Sequence, residues 1–153
     1  MFSVFSVADF FLARASMSPK KLQKLVYYAY AWTLALLNET IDDLHFRLFH
    51  NKIEAWVHGP VVPDLYQQYK SYGWKDIPQL NAYSGPAFPA DVEDVLNQVW
   101  DIYGALSANQ LEMVSHQEYP WINARNGEAA YAISSNQILD RDLFSFFNEQ
   151  AYS

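Results

Sequence analysis

The chain has 153 residues, of which 51% are hydrophobic and 17% aromatic, and its 17 Asp and Glu against 10 Lys and Arg give a net charge of -7. So much Trp, Tyr and Phe can bury enough surface to offset the entropy of ordering, which excludes a disordered chain and points to one compact soluble domain over residues 1–153. The absence of cysteine excludes disulfide scaffolds, zinc ribbons and thiol nucleophiles, and it fits a reducing compartment.

The N-terminus lacks the basic start of a secretory signal, and Asp9 and Arg14 interrupt its apolar stretch. Ser6 is expected to cap a first short helix, with Asp9 as its capping-box partner and Phe10, Phe11 and Leu12 facing the core. Ser18-Pro19 opens the longest helix, since Ser suits the cap and Pro the first helical position. Leu22, Leu25, Val26, Ala29, Trp32, Thr33 and Leu36 recur there at helical spacing as a broad buried stripe. Tyr27, Tyr28 and Tyr30 flank that stripe, so the helix should be covered on more than one side. The uncharged run Leu25–Leu37 has 13 residues, short of the roughly 18 that a membrane span needs. A cytoplasmic protein with no membrane association is expected.

Residues 44–57 change period. Phe46, Leu48, Ile53, Ala55 and Val57 alternate with other types around His50-Asn51, which predicts a short hairpin ended by Gly59-Pro60. Pro63 starts a short helix over Asp64–Tyr72, stopped by Gly73, with Asp64 in its first turn and Lys70 in its last, as the dipole favours. Trp74–Pro89, with its three prolines and Gly85, reads as the longest loop. Asp91 opens the next helix, with Glu93 and Asp94 at its positive end, a stripe of Val92, Val95, Leu96, Val99 and Ile102, and a stop at Gly104. Ser107 caps another, where Gln110 completes a capping box and Leu106 and Leu111 are placed for a hydrophobic staple. Leu111 and Val114 should bury, and Pro120 should break this helix before Trp121. Residues 127–139 fit no single pattern. Asp140 is expected to cap a last helix, about 140–150, whose Leu143, Phe144, Phe146 and Phe147 pack on the core. The fold class is mainly α with a small β-hairpin element, in a single compact helical domain.

Catalytic signatures are missing. The five glycines, at 59, 73, 85, 104 and 127, are too dispersed for a phosphate-cradling loop, and neither H-E-x-x-H nor G-x-S-x-G occurs. His45 and His50 lack the spacing of a helical ligand pair, so no metal and no cofactor are expected. Glu54 and His58 are the best acid/base candidates for a hydrolase-like activity, because four residues is two strand periods and places both on one face. The alternative for His58, just before Gly59-Pro60, is a hydrogen bond to the local backbone. His116 and Glu118 sit at a helix C-terminus, where the dipole stabilises imidazolium without any catalytic role.

Two features suggest a binding surface. Lys20, Lys21 and Lys24 occupy the first turns of a helix, where the dipole disfavours cations, so they either contact an anionic surface or are simply solvated. Tyr66, Tyr69, Tyr72 and Trp74 are too many for one face of a short helix to bury, and Tyr and Trp are enriched at protein interfaces; core packing of Leu65, Tyr66 and Tyr69 is the alternative. Lys20, Lys24, Tyr66, Tyr69, Tyr72 and Trp74 are therefore the partner-binding candidates. Residues 61–153 hold twelve acids against four basic residues, a balance of -8. Such a field repels nucleic acid and favours a basic protein partner, and it also serves plain solubility.

The run Lys21-Leu22-Gln23-Lys24-Leu25-Val26-Tyr27-Tyr28-Ala29-Tyr30-Ala31-Trp32 resembles the opening motif of the Panacea family, the SocA-like antitoxins of bacterial and phage toxin–antitoxin systems. The likeness continues in Glu54-Ala55-Trp56-Val57-His58-Gly59-Pro60-Val61-Val62-Pro63, then Tyr66, Tyr69-Lys70 and Gly73. It resumes in Val99-Trp100 to Tyr103-Gly104, Leu106-Ser107, Leu111, His116-Gln117-Glu118, Pro120-Trp121 and Asn123-Ala124-Arg125. The ordered set spans most of residues 20–126, and the family core is placed at about 18–126. The resemblance implies a mainly helical domain and an antitoxin without enzymatic activity, which neutralises a toxin encoded by an adjacent gene, as in a prophage, through direct binding. The family's other mode, delivery of a bound toxin to a Clp-type protease, is the alternative. With only a short helix ahead of the motif, autoregulation by DNA binding is not expected; homo-oligomerisation stays open. Leu22, Leu25, Tyr28, Trp32, Glu54, Trp56, His58, Gly59, Pro60, Pro63, Trp100, His116, Pro120 and Trp121 are motif residues expected to specify the fold. Toxin contacts are expected among exposed positions outside the motifs, Trp74–Pro89 included.

Overall fold

A computed structural model describes residues 1–153 as seven α-helices and one two-stranded sheet. The first helix, α1, runs Val4–Leu12 and is capped by Ser3, whose Oγ accepts the Phe5 N–H at 3.1 Å. The expected cap at Ser6 is thus corrected by one turn. Val4 belongs to the buried face with Val7, and a helix capped at Ser6 would leave Val4 out of it.

Helix α2, Pro19–Leu36, begins as the sequence predicts: Ser18 Oγ accepts the Lys21 N–H at 3.2 Å and Pro19 takes the first position. It is the central element, packed by α1, by the later helices and by the hairpin. Tyr27 and Tyr28 are fully buried along with the aliphatic stripe, while Trp32 and Leu36 are only partly covered.

The hairpin lies later than expected. Strand β1 is Glu54–Trp56 and β2 is Gly59–Val61, antiparallel, pairing Glu54 with Val61, Ala55 with Pro60 and Trp56 with Gly59. Residues 44–53 form no strand, and Gly59-Pro60, taken as the terminator, supplies the second strand. Two local facts allow this. Gly59 adopts φ +108°, which L side chains rarely reach, and an added Cβ would stand 2.6 Å from Lys24 Cε. Pro60 faces Ala55, whose N–H is given instead to the Asn136 carbonyl and whose carbonyl accepts from Arg125. This is a non-hydrogen-bonded pair, so the missing N–H of Pro60 costs nothing. The ambiguous segment 127–139 therefore supplies the outer partner of β1, with the Ile138 N–H reaching the Ile53 carbonyl.

Helix α3, Pro63–Tyr69, continues as one 3₁₀ turn, Lys70–Tyr72, and Gly73 follows at φ +60°. Residues 74–89 are irregular, as expected, but pinned: Met17 and Ile77 exchange backbone hydrogen bonds, and Ile77 and Phe88 are buried. Helix α4 is Ala90–Tyr103. Ile102, placed in its buried stripe by sequence, is 60% exposed, and Tyr103 replaces it, four residues on from Val99. Helix α5, Ala108–His116, has both bonds of the Ser107–Gln110 capping box, although Val114 is only partly buried. Pro120 does not break a helix. It lies in the first turn of a new one, α6, Tyr119–Arg125, where its missing N–H is harmless. Helix α7, Asp140–Tyr152, lies against α2 and buries Leu143, Phe144 and Phe147, with Phe146 partly covered. Leu139, not Asp140, is at its cap, because the Asp140 carboxylate is taken by Tyr30 and Arg47, each at 2.7 Å. No helix is long and apolar enough to cross a membrane.

Candidate partner-binding surface around the hairpin

The three lysines at the start of α2 all turn to protein groups. Lys21 Nζ donates to the Gly104 carbonyl at 2.6 Å, at the negative end of α4. Lys20 pairs with Glu112 on α5 and donates to Asn109. Both side chains thus leave the positive end of their own helix for acceptors elsewhere, which resolves the dipole conflict. Lys24 is 1% exposed, so its reading as a solvated residue is corrected. Its methylenes pack over Gly59, and its Nζ donates to the Pro60 carbonyl at 3.2 Å. No carboxylate pairs with it. Burial lowers its pKa to about 7; Lys20 pushes the same way and Glu112 opposes.

Glu54 and His58 do not meet. Glu54 Oε1 accepts from Trp56 Nε1 at 2.9 Å, while His58 Nδ1 faces Glu112 at 3.1 Å. His58 lies in the turn and not on the strand, so the two-residue period that would align it with Glu54 does not apply. Burial tends to raise the Glu112 carboxyl, but the bonds from Lys20 and His58 outweigh it and the net shift is downward.

Between the start of α2, the hairpin and α3 lies a cavity of about 200 Å³. Its walls are largely apolar and aromatic, with Leu22, Val61, Leu65, Trp56, Tyr66 and Tyr69, and the Trp56 and Tyr66 rings meet edge to face at 5.0 Å. A second hollow, about 280 Å³, adjoins it along the hairpin, where Trp56, His58 and Val61 of the same lining meet Ile133. Tyr66 and Tyr72 are exposed, and Trp74 is 85% exposed. Of the six candidate residues, Lys20, Lys24, Tyr66 and Tyr69 converge on the first cavity; Tyr72 and Trp74 lie outside its lining, on the turn and loop just past α3.

Sequence reasoning missed Tyr131 and Ile133, which are 84% and 95% exposed. Their only signal was the presence of large apolar residues in an aperiodic stretch. The loop that carries them is held by Arg125, whose guanidinium donates to the carbonyls of Ala55, Ala129 and Ala132. Beneath the hairpin, His116 stacks on Trp121 at 4.0 Å, and Trp121 Nε1 donates to the Trp56 carbonyl at 2.9 Å. Burial lowers the pKa of His116, with the carbonyl of Val57 working the other way. Gln23 closes the base through two bonds with the backbone of Val62, at 2.9 and 3.1 Å.

The hairpin thus borders two hollows, with Tyr66 exposed at one and Ile133 at the other. Antitoxin SocA of Caulobacter vibrioides (strain NA1000 / CB15N) is 28% identical over 164 residues, covering 97% of this chain and 84% of the relative. No solved structure matches the chain. The family described as antitoxin SocA-like, Panacea domain, matches residues 22–122, from the first turn of α2 into α6, which takes in both hairpin strands and α3 but not Ile133; the chain belongs to that family.

Proposed function

We propose that this protein is an antitoxin that neutralises a cognate protein toxin by direct binding in the cytoplasm, with no catalytic step of its own. Family membership carries the reading, together with a relative named as an antitoxin over nearly the whole chain. The hairpin face supports it physically. Tyr66 and Ile133 at its hollows, with Trp74 on the loop past α3, offer large apolar area that the fold leaves uncovered, which is the composition of a protein interface. The chain's net charge of -7 favours encounter with a basic partner. The test is co-expression with the product of the neighbouring gene. Cells that die with that product alone should survive when this chain is present, and the two should co-purify. Death despite co-expression would remove the reading. Toxin half-life is followed in the same cells: an unchanged half-life means masking, and a shortened one that recovers in Clp-deficient cells means delivery to the protease.

A further inference from the structure

We propose that the cavity between α2, the hairpin and α3 seats an acidic side chain, flanked by an apolar one, from the bound partner, with Lys24 as its counter-ion. This rests on the reading of the hairpin face as the toxin-binding surface and adds the chemistry of one contact to it.

The charge balance in the cavity is opposite to that of the whole molecule. In a chain of net charge -7, the lining contains Lys20, Lys24 and His58 and no Asp or Glu. Lys20 and His58 are already held by Glu112 from α5. Lys24 is not: it is 1% exposed, and its single acceptor is the carbonyl of Pro60. Burying an ammonium without a carboxylate is costly, and the cost is offset when the counter-ion arrives with a partner. The volume of about 200 Å³ and the walls of Trp56, Tyr66 and Leu65 demand hydrocarbon beside the charge. The cavity is continuous with the exposed Tyr66, and the second hollow shares Trp56, His58 and Val61 with it. That spread across the hairpin fits a protein surface better than a free small carboxylate.

The probes are two capped dipeptides, Ac-Phe-Glu-NH₂ and Ac-Phe-Gln-NH₂, titrated into the full chain and followed by amide NMR shifts. The Glu peptide should move the amides of Lys24, Trp56 and Tyr66 and bind at least about tenfold more tightly than its neutral isostere, as a charge-assisted hydrogen bond requires. Lys24→Met should erase that difference and raise Tm, because it removes a buried unpaired charge while keeping the shape. Equal binding of the two peptides to the unaltered chain would overturn the proposal without any need for the variant. So would an undiminished Glu preference in Lys24→Met. A response to Ac-Phe-OH at the same amides with none to the Glu peptide would also overturn it, in favour of a chain terminus. Toxin neutralisation is scored separately: a clear Glu preference in a chain that rescues no cells leaves the cavity assigned and removes only the antitoxin reading.

Discussion

The Tyr28 hydroxyl donates a 2.8 Å hydrogen bond to Glu118 Oε1, tying the middle of α2 to the entry of α6. Burial raises the Glu118 pKa to about 7 in spite of that bond. Between the unfolded value of 4.5 and about 7 the folded state holds a proton that the unfolded chain has released. Stability therefore falls as pH rises through that window. Lys24 acts in the next one. Its folded pKa of about 7 lies below the unfolded 10.5, so the unfolded chain binds more protons there and stability rises with pH. The Glu118 window is worth roughly 3 kcal/mol and the Lys24 window roughly 5 kcal/mol. Urea denaturation should find the chain less stable at pH 7 than at pH 5 or pH 9. Glu118→Gln should flatten the acid limb and Lys24→Met the alkaline limb. A stability maximum at pH 7 that both variants retain would show that these two groups do not control it.

Gly59 and Gly73 make a matched comparison. Both have positive φ, but a Cβ at Gly59 meets Lys24 Cε at 2.6 Å and Ser115 Oγ at 3.0 Å, whereas nothing lies within 4 Å of one at Gly73. Gly59→Ala should destabilise by about 2 kcal/mol or more and Gly73→Ala by about 1 kcal/mol. Chemical denaturation checks the ranking, and equal losses would contradict the close packing of Lys24 under the turn.

Arg125 collects three carbonyls that no other side chain satisfies: Ala55 on β1, and Ala129 and Ala132 in the following loop. A lysine cannot reproduce that planar fork. Arg125→Lys should cost about 2 kcal/mol, and amide exchange should accelerate across residues 128–138. Unchanged exchange there would mean that the loop carrying Tyr131 and Ile133 is fixed by other contacts.

Glu54 lies outside the cavity lining, with its carboxylate on Trp56 Nε1. Glu54→Gln keeps an acceptor for that bond, so neutralisation in co-expression should be unchanged. Loss of neutralisation in a folded Glu54→Gln protein would restore the acid/base reading of this residue.

Local chemistry was readable where its partners are close in sequence. Ser18-Pro19, the Ser107–Gln110 box, the stop at Gly73 and the buried stripe of α2 all involve neighbours within a turn or two. The hairpin was misplaced because Pro60 can enter a strand only when Ala55 bonds elsewhere, and its acceptor, Asn136, is far along the chain. Lys24 looked like one more charged residue in a basic helical turn; its burial is imposed by Gly59 and Pro60 from the hairpin. The aromatic cluster after Pro63 was legible as an excess over what a short helix can bury. Ile133 was not, because its exposure depends on how Arg125 shapes the loop.

As proposed, the hairpin and the exposed aromatic side chains around it act by covering another protein. The most direct test is the triple variant Tyr66→Ser, Trp74→Ser, Ile133→Ser, whose altered positions are all exposed and should leave Tm within a few degrees of the parent. Affinity for the purified toxin is measured by calorimetry alongside survival on co-expression. A loss of at least about a hundredfold in affinity, with failure of rescue, is expected; full affinity and full rescue by the folded triple variant would show that these side chains do not bind the toxin.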